Sequence, residues 1–235
     1  MPSPETSDSA PRPTVLFDID GTLVDTNYFQ AVSWFRAFSQ SGYQVAMVDV
    51  QRHIGLGSSE LIDELVPQRD KSRDDVLQAA HAEYYAGFYG LMKPFACAQD
   101  LLRTIRDRGA EVVLATSASP NELQALRSAL DVEDALATVT SAKDVQHAKP
   151  EPDILEAALK QTGTDPEHAI MIGDTVWDIK AAAKAGVRCI AVLTGGISRQ
   201  ALEEAGAVAI YDDAQDLLKN LDDSPIGKLL VASAG

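Results

Sequence analysis

Cysteine, basic residues and long apolar runs are all scarce in this 235-residue chain. The two cysteines, Cys97 and Cys189, stand far apart, with no CxxC spacing and no Cys/His cluster. That excludes a disulfide framework and a structural zinc site, and it points to reduced thiols in a cytoplasmic setting. Lys and Arg number 20 against 35 Asp and Glu, a formal charge of −15. A surface of that sign repels nucleic acid and anionic membrane, so neither is expected as a partner. It repels small anions too, so an anion site must gather cations locally. No apolar run reaches the length of about eighteen residues that a membrane-spanning helix needs. Residues 1–13 (MPSPETSDSAPRP) lack the basic start and apolar middle of a secretion signal and read as a disordered tail.

What is present is an apolar fraction of 46%, ample for a core. Short unbroken apolar runs start near 15, 111, 138, 169, 189 and 207 (VLF, EVVLA, TVT, AIMI, CIAVL, AVAIY). Unbroken runs of this length suit strands buried on both faces. Helical patterns lie between them. Ser119-Pro120-Asn121-Glu122 is a capping box with proline at the first helical position. Ile154, Leu155, Ala158 and Leu159 recur at helical spacing before Gly163, and the segment from Val176 to Ala185 ends at Gly186. Alternation of this kind predicts an α/β fold with a parallel sheet covered on both sides.

The segment 28–92 breaks the alternation. Tyr28, Val32, Phe35 and Phe38 predict a helix closed by Gly42, and Ser58 to Val66 a second, stopped by Pro67. Ser72-Arg73-Asp74-Asp75 reads as a further capping box, ahead of a face formed by Leu77, Ala80, Tyr84, Phe88 and Leu91. An all-helical insertion after the first strand is expected.

In a parallel α/β sheet, ligands bind beyond the carboxyl ends of the strands. The residues just past each run are therefore the informative ones. They are Asp18 and Asp20, then Thr116 and Ser117, then Lys149, then Asp174 and Asp178. Asp178 follows Asp174 by one helical turn, which puts both on one face. Taken singly, Asp20-Gly21 is a common turn, and His147 near Lys149 is a solvent-facing histidine with no role assigned. Trp177 is expected in the core or against a lid.

These segments stand as FDIDGTLVDT (17–26), VVLATS (112–117), KPEPD (149–153) and GDTVWD (173–178). In order and in kind the set resembles the haloacid dehalogenase-like superfamily, and within it the phosphoglycolate phosphatases. The resemblance implies a Rossmann-like core over 14–27 and 93–221, a helical cap over 28–92, and a C-terminal tail over 222–235. Hinges are expected near 25–27 and 93–95.

It also implies a Mg²⁺-dependent phosphatase acting on a small phosphorylated metabolite, phosphoglycolate-like or a sugar phosphate, as a monomer or homodimer. Asp18 would be the nucleophile, ionised at its ordinary pKa of ~3.9. Asp20 would protonate the leaving alcohol and then deprotonate water, which requires a raised pKa. Asp18, Asp174 and the backbone carbonyl of Asp20 would hold the metal, with Asp178 supporting. Thr116, Ser117 and Lys149 would bind phosphate. Gly55, Leu56, Gly57 and Ser58 would form the cap's substrate loop.

Family members that cleave carbon–halogen bonds lack the second acid, so Asp20 argues against that chemistry. A sugar phosphomutase shares both acids but would offer an arginine where Ser58 stands. Many relatives carry histidine at the position of Gln30. A non-catalytic binder would need no protonating Asp20.

Overall fold

The computed structural model describes residues 12–233; the expectation for 1–11 of the N-terminal tail lies outside them. Strand β1 (Thr14–Phe17) leads into four helices, α1 (Asn27–Gln40), α2 (Met47–His53), α3 (Ser58–Leu65) and α4 (Asp74–Ala86). The chain continues through α5 (Ala98–Asp107), β2 (Glu111–Ala115), α6 (Pro120–Leu130), β3 (Thr138–Thr140), α7 (Asp153–Thr162) and β4 (Ala169–Gly173). It closes with α8 (Val176–Lys184), β5 (Arg188–Val192), α9 (Arg199–Ala205), β6 (Ala209–Tyr211), α10 (Ala214–Lys219) and α11 (Pro225–Ser233).

Among the described residues the strands form one sheet in the order β3-β2-β1-β4-β5-β6, with every neighbouring pair parallel. Side chains alternate between its faces, and both faces are dry. Val15, Phe17, Val112, Leu114, Ile170 and Ile172 bury against helices on one side. Leu16, Val113, Ala115, Met171 and Ala191 bury on the other, with α7, α8 and α9. Burial on both faces explains why the runs are continuous rather than alternating in polarity. Strand β1 lies between β2 and β4, where the chain's winding changes direction. The carboxyl ends of β1 and β4 therefore open into the crevice of an α/β sheet's switch point.

Helices α1 to α4 carry their own apolar cluster, built on Trp34, Phe38, Ile54, Leu61, Ile62 and Leu77. Its stripes differ from the expected ones. Helix α1 buries Asn27, Ala31, Trp34 and Phe38, and leaves Tyr28 64% exposed. Helix α4 buries Leu77, His81 and Tyr85, and Leu91 is 59% exposed. In both helices the buried face is set one residue away from the most apolar reading, because it includes polar side chains that point toward the core module. The expected cap at Ser72 is also corrected. Asp70 accepts from Ser72 N at 3.0 Å and opens a short 3₁₀ turn, and α4 starts only at Asp74.

The segments expected as hinges run side by side. Asp25 N donates to Lys93 O at 3.0 Å and Phe95 N to Leu23 O at 2.9 Å, so the chain leaves and re-enters the core as a short paired ribbon. Residues 222–233 do not form a tail, and the expectation for 234–235 lies outside the described residues. Helix α11 buries Ile226 and Leu229 in the same cluster as β1 and β2. Ile226 is 0% exposed. Truncating it leaves a cavity at a packed site, so Ile226→Ala is expected to lower stability by about 2–5 kcal/mol in urea unfolding. An unchanged midpoint would mean that α11 lies outside the cooperative core.

Candidate active site

The β1–β4 ladder continues past its last paired strand residues through Asp18 N, which donates to Ile172 O at 2.9 Å. That bond sets Asp18 beside the end of β4, from which Asp174 follows. Lys149 Nζ sits between two carboxylates, 2.5 Å from Asp18 Oδ1 and 2.7 Å from Asp178 Oδ1. Lys149 is 1% exposed, Asp178 1% and Asp174 0%. One oxygen from each of Asp18, Asp174 and Asp178 lies within 4.8 Å of the others. Three buried acids thus face one buried base, and the pocket holds more negative charge than it can neutralise.

The titration behaviour follows from that imbalance. Burial pushes the Asp18 carboxyl up to about 7, against the opposing pull of Lys149 and with help from Asp178 and Asp20. Burial likewise holds Asp174 well above the usual carboxylate range, with Asp178 and Asp18 adding to the effect. Burial alone would lower Lys149, but Asp178 and Asp18 outweigh it and keep the ammonium charged. A divalent cation among these oxygens would reverse the carboxylate shifts.

Each acid is held by its own local structure. Asp178 is the third residue of α8, and its Oδ2 accepts from Thr175 N at 3.1 Å and Thr175 Oγ1 at 2.6 Å. This capping box at the helix start leaves Oδ1 for Lys149. Asp174 accepts from Thr22 Oγ1 at 2.8 Å and from Asn27 Nδ2 at 2.7 Å. Gly195 makes room for it: a Cβ there would come within 1.9 Å of Asp174 Oδ2.

Asp20 is placed differently. Its carboxylate lies outside the acid cluster, and Oδ1 accepts from Thr26 Oγ1 at 2.7 Å and from Tyr85 OH at 2.8 Å. Gln30 Nε2 is 3.5 Å away. Tyr85 comes from α4, so the helical module reaches into the core to hold this acid. Burial, then Asp20, pushes the Tyr85 hydroxyl up, so it stays a donor. Gln30 Oε1 in turn meets His81 Nε2 at 2.7 Å, and His81 stacks on Trp34 at 4.1 Å. Burial lowers His81 to about 3, which keeps it neutral.

At the end of β2, Thr116 is buried and accepts from Ala118 N at 3.1 Å through Oγ1, leaving its own proton to donate. Ser117 Oγ is buried without a partner and lines the cavity above Asp18. Gly55, Leu56 and Ser58 line the same cavity. Gly57 N donates to Lys149 O at 3.3 Å, joining the expected cap loop to the core. A Cβ on Gly57 would sit 2.4 Å from Ala148 Cβ, so this closure needs glycine. Trp177, on α8, packs into the cluster of the helical module. His147 is exposed and pairs with Asp153.

Sequence reasoning gave Asn27, Tyr85 and His81 no role at the site and read Glu122 only as part of a capping box, which the structure also shows. Asn27 directly follows the first motif, and Tyr85 and His81 recur at four-residue spacing from Leu77, which is the signal that could have found them.

The family model described as haloacid dehalogenase-like hydrolase matches residues 15–192, most of the chain. The chain belongs to this family. This hydrolase is similar to phosphoglycolate phosphatase 1 of Pseudomonas aeruginosa, 27% identical over 88% of this chain and 79% of that protein. It is also similar to the pyrophosphatase PpaX of Bacillus cereus, 27% identical over 89% of this chain and 96% of that one. Among solved structures, a hydrolase from Pseudomonas syringae is 29% identical, with a TM-score of 0.86 over 90% of this chain and 99% of the other.

Because Asp18 gains proton affinity on folding, the native state holds a proton that the unfolded chain has released between the ordinary carboxyl value of 3.8 and about 7. Stability from this group is complete below that window and is lost as pH rises through it. In chelator-treated protein, Asp18→Asn should therefore gain on the wild type in melting temperature as pH goes from 5 to 7.5. His81 titrates equally in both and cancels. A pH-independent difference would count against burial as the cause.

Proposed function

We propose that this hydrolase cleaves phosphate monoesters of small metabolites with the help of Mg²⁺ and through an aspartyl-phosphate on Asp18. The observation that carries the reading is the excess of buried carboxylate around Lys149 at the joined ends of β1 and β4. Such a donor set suits a hard divalent cation, which takes carboxylate oxygens together with phosphate oxygens and water. Asp18 and Asp174 are the side-chain ligands in this reading, the backbone carbonyl of Asp20 contributes, and Asp178 orients Lys149 and supports the site. The bound ion would supply the positive charge that lets a phosphoryl group enter among these acids.

In the first step, an oxygen of Asp18 attacks phosphorus as the bond to the alcohol oxygen breaks. The leaving oxygen takes the proton of Asp20, which Thr26 and Tyr85 hold in place. In the second step, water attacks the phosphorus and gives a proton back to Asp20. Inorganic phosphate leaves and Asp18 is restored. In this reading Lys149, Thr116 and the Ser117 hydroxyl bind the phosphoryl oxygens through both steps, which their place beside Asp18 supports. The relatives' names, phosphoglycolate phosphatase and pyrophosphatase, support small phosphorylated substrates. A mutase reading is not favoured: Ser58 stands where an arginine is expected, and no lysine or arginine among the described residues lines the cavity over Asp18 or the cleft that adjoins it.

With an aryl phosphate and Mg²⁺, the wild type is expected to release inorganic phosphate and a chelator to abolish the release. Asp18→Asn should lose all measurable turnover. Asp20→Asn should lose about 10²–10⁴-fold on alkyl esters and much less on aryl esters, whose leaving groups need no proton. Full activity of Asp18→Asn would sink the proposal.

A further inference from the structure

The inner cavity, of about 60 Å³, has room for little beyond the phosphoryl group itself. Asp18, Asp20 and Thr116 form its floor, and Trp34, Ile54, Leu56 and Leu61 wall it on the side of the helical module. It shares Ser58, His81, Ser117 and Glu122 with an outer cleft of about 470 Å³, which runs between α3 and α4 and the loops after β2 and β3. The organic part of a phosphate ester bound at Asp18 must occupy this outer cleft.

The chemistry of the cleft is distinctive. Among the described residues lining either cavity there is no lysine or arginine. Besides the shared Ser58 and Ser117, the neutral polar groups it offers are Ser59, Gln78, Ser119 and Gln146, with Glu60 and Glu122 as acids. His147 is the one imidazole on its outer wall among the described residues, and its Nδ1 is engaged by Asp153. His81 is neutral, stacked and hydrogen-bonded to Gln30. Glu122 is 8% exposed and sits beside the site, with its Oε2 accepting from Ser119 N at 2.7 Å. In either protonation state it offers an anion no counter-charge.

The start of α3 would ordinarily favour an anion through its free N–H groups. Glu60, in the first turn of α3, sets a carboxylate of like charge beside that start: its Oε2 lies 2.3 Å from where a Cβ on Gly57 would be. Lys149 is bridged between Asp18 and Asp178 and serves the phosphoryl end. A second negative group on the substrate would thus face acids and neutral amides with no lysine or arginine among the described lining residues, and like charges so placed are discriminated against.

We infer that the cleft selects phosphate monoesters whose alcohol part is uncharged and hydroxyl-bearing, and excludes esters with a carboxylate or second phosphate on the leaving group. This rests on the phosphatase reading of the same site. It separates the chain from the substrates named for its relatives, since phosphoglycolate and pyrophosphate both carry a second anionic group. Ser59, Gln78 and Gln146 supply donors and acceptors suited to hydroxyl groups.

The test compares kcat/KM of the wild type, with Mg²⁺, for an aryl phosphate, glycerol phosphate, a hexose 6-phosphate, phosphoglycolate and pyrophosphate. At least one neutral-alcohol ester is expected to exceed both anionic compounds by about tenfold or more. The double variant Glu60→Gln/Glu122→Gln should raise the ratio of phosphoglycolate to neutral-ester kcat/KM by a similar factor. Phosphoglycolate or pyrophosphate as the preferred substrate, with the aryl phosphate also cleaved, overturns this inference and leaves the phosphatase reading standing. An unchanged ratio in the folded double variant overturns the charge-based cause. No release from any ester, the aryl phosphate included, overturns the phosphatase reading and this inference with it.

Discussion

The site depends on Lys149 and the two carboxylates it bridges. Taking one ammonium and three carboxylates out of water costs more than a single ion pair returns, and the balance is tolerable only because every group has a specific partner. Asp178 is tied by the capping box of α8, Asp174 by Thr22 and Asn27, and Asp18 by the lysine itself. The remaining excess negative charge is the physical reason to expect a divalent cation. In a chain of net charge −15, Lys149 brings positive charge to the acids, and no lysine or arginine among the described residues lines the cleft above them.

The parallel sheet makes this arrangement cheap to specify. Strands β1 and β4 are neighbours in register, so the residues that follow them emerge side by side without further loop design. Helix α8 begins immediately after β4, and one helical turn brings Asp178 back to face the lysine. The lysine arrives from a loop after β3, three strands away in the sheet from β4. Its position is fixed by Gly57 of the helical module, whose N–H holds the Lys149 carbonyl.

The helical module does more than cover the site. Tyr85 hydrogen-bonds Asp20, Gln30 contacts the same oxygen, and His81 orients Gln30 from within an aromatic stack. The acid expected to carry protons is thus held partly by the cap, whereas the acids around Lys149 are held by the core. In the proposed mechanism, any movement of the helical module would shift the side chains that hold Asp20.

Much of this was legible in the sequence. The six apolar runs became six strands, because strands buried on both faces leave an unbroken signature. The residues just past them are the ones the structure brings together, because a parallel sheet aligns all its carboxyl ends. The helical stripes were less legible. Tyr28, Val32 and Phe35 are more apolar than the Asn27, Ala31 and Trp34 face that is buried, since that face must satisfy Asp174 as well as pack. The same holds for His81 and Tyr85 against Ala80 and Tyr84. The last helix was missed because Ile226 and Leu229 are too few to make a pattern until β1 and β2 supply the surface they cover. Sequence order alone determined the fold and the acids, hydroxyls and base at its strand ends. Which side chains hold those groups, and the absence of lysine and arginine from the cleft above them among the described residues, were decided by tertiary packing, because both depend on how the helices α1 to α4 sit on the sheet.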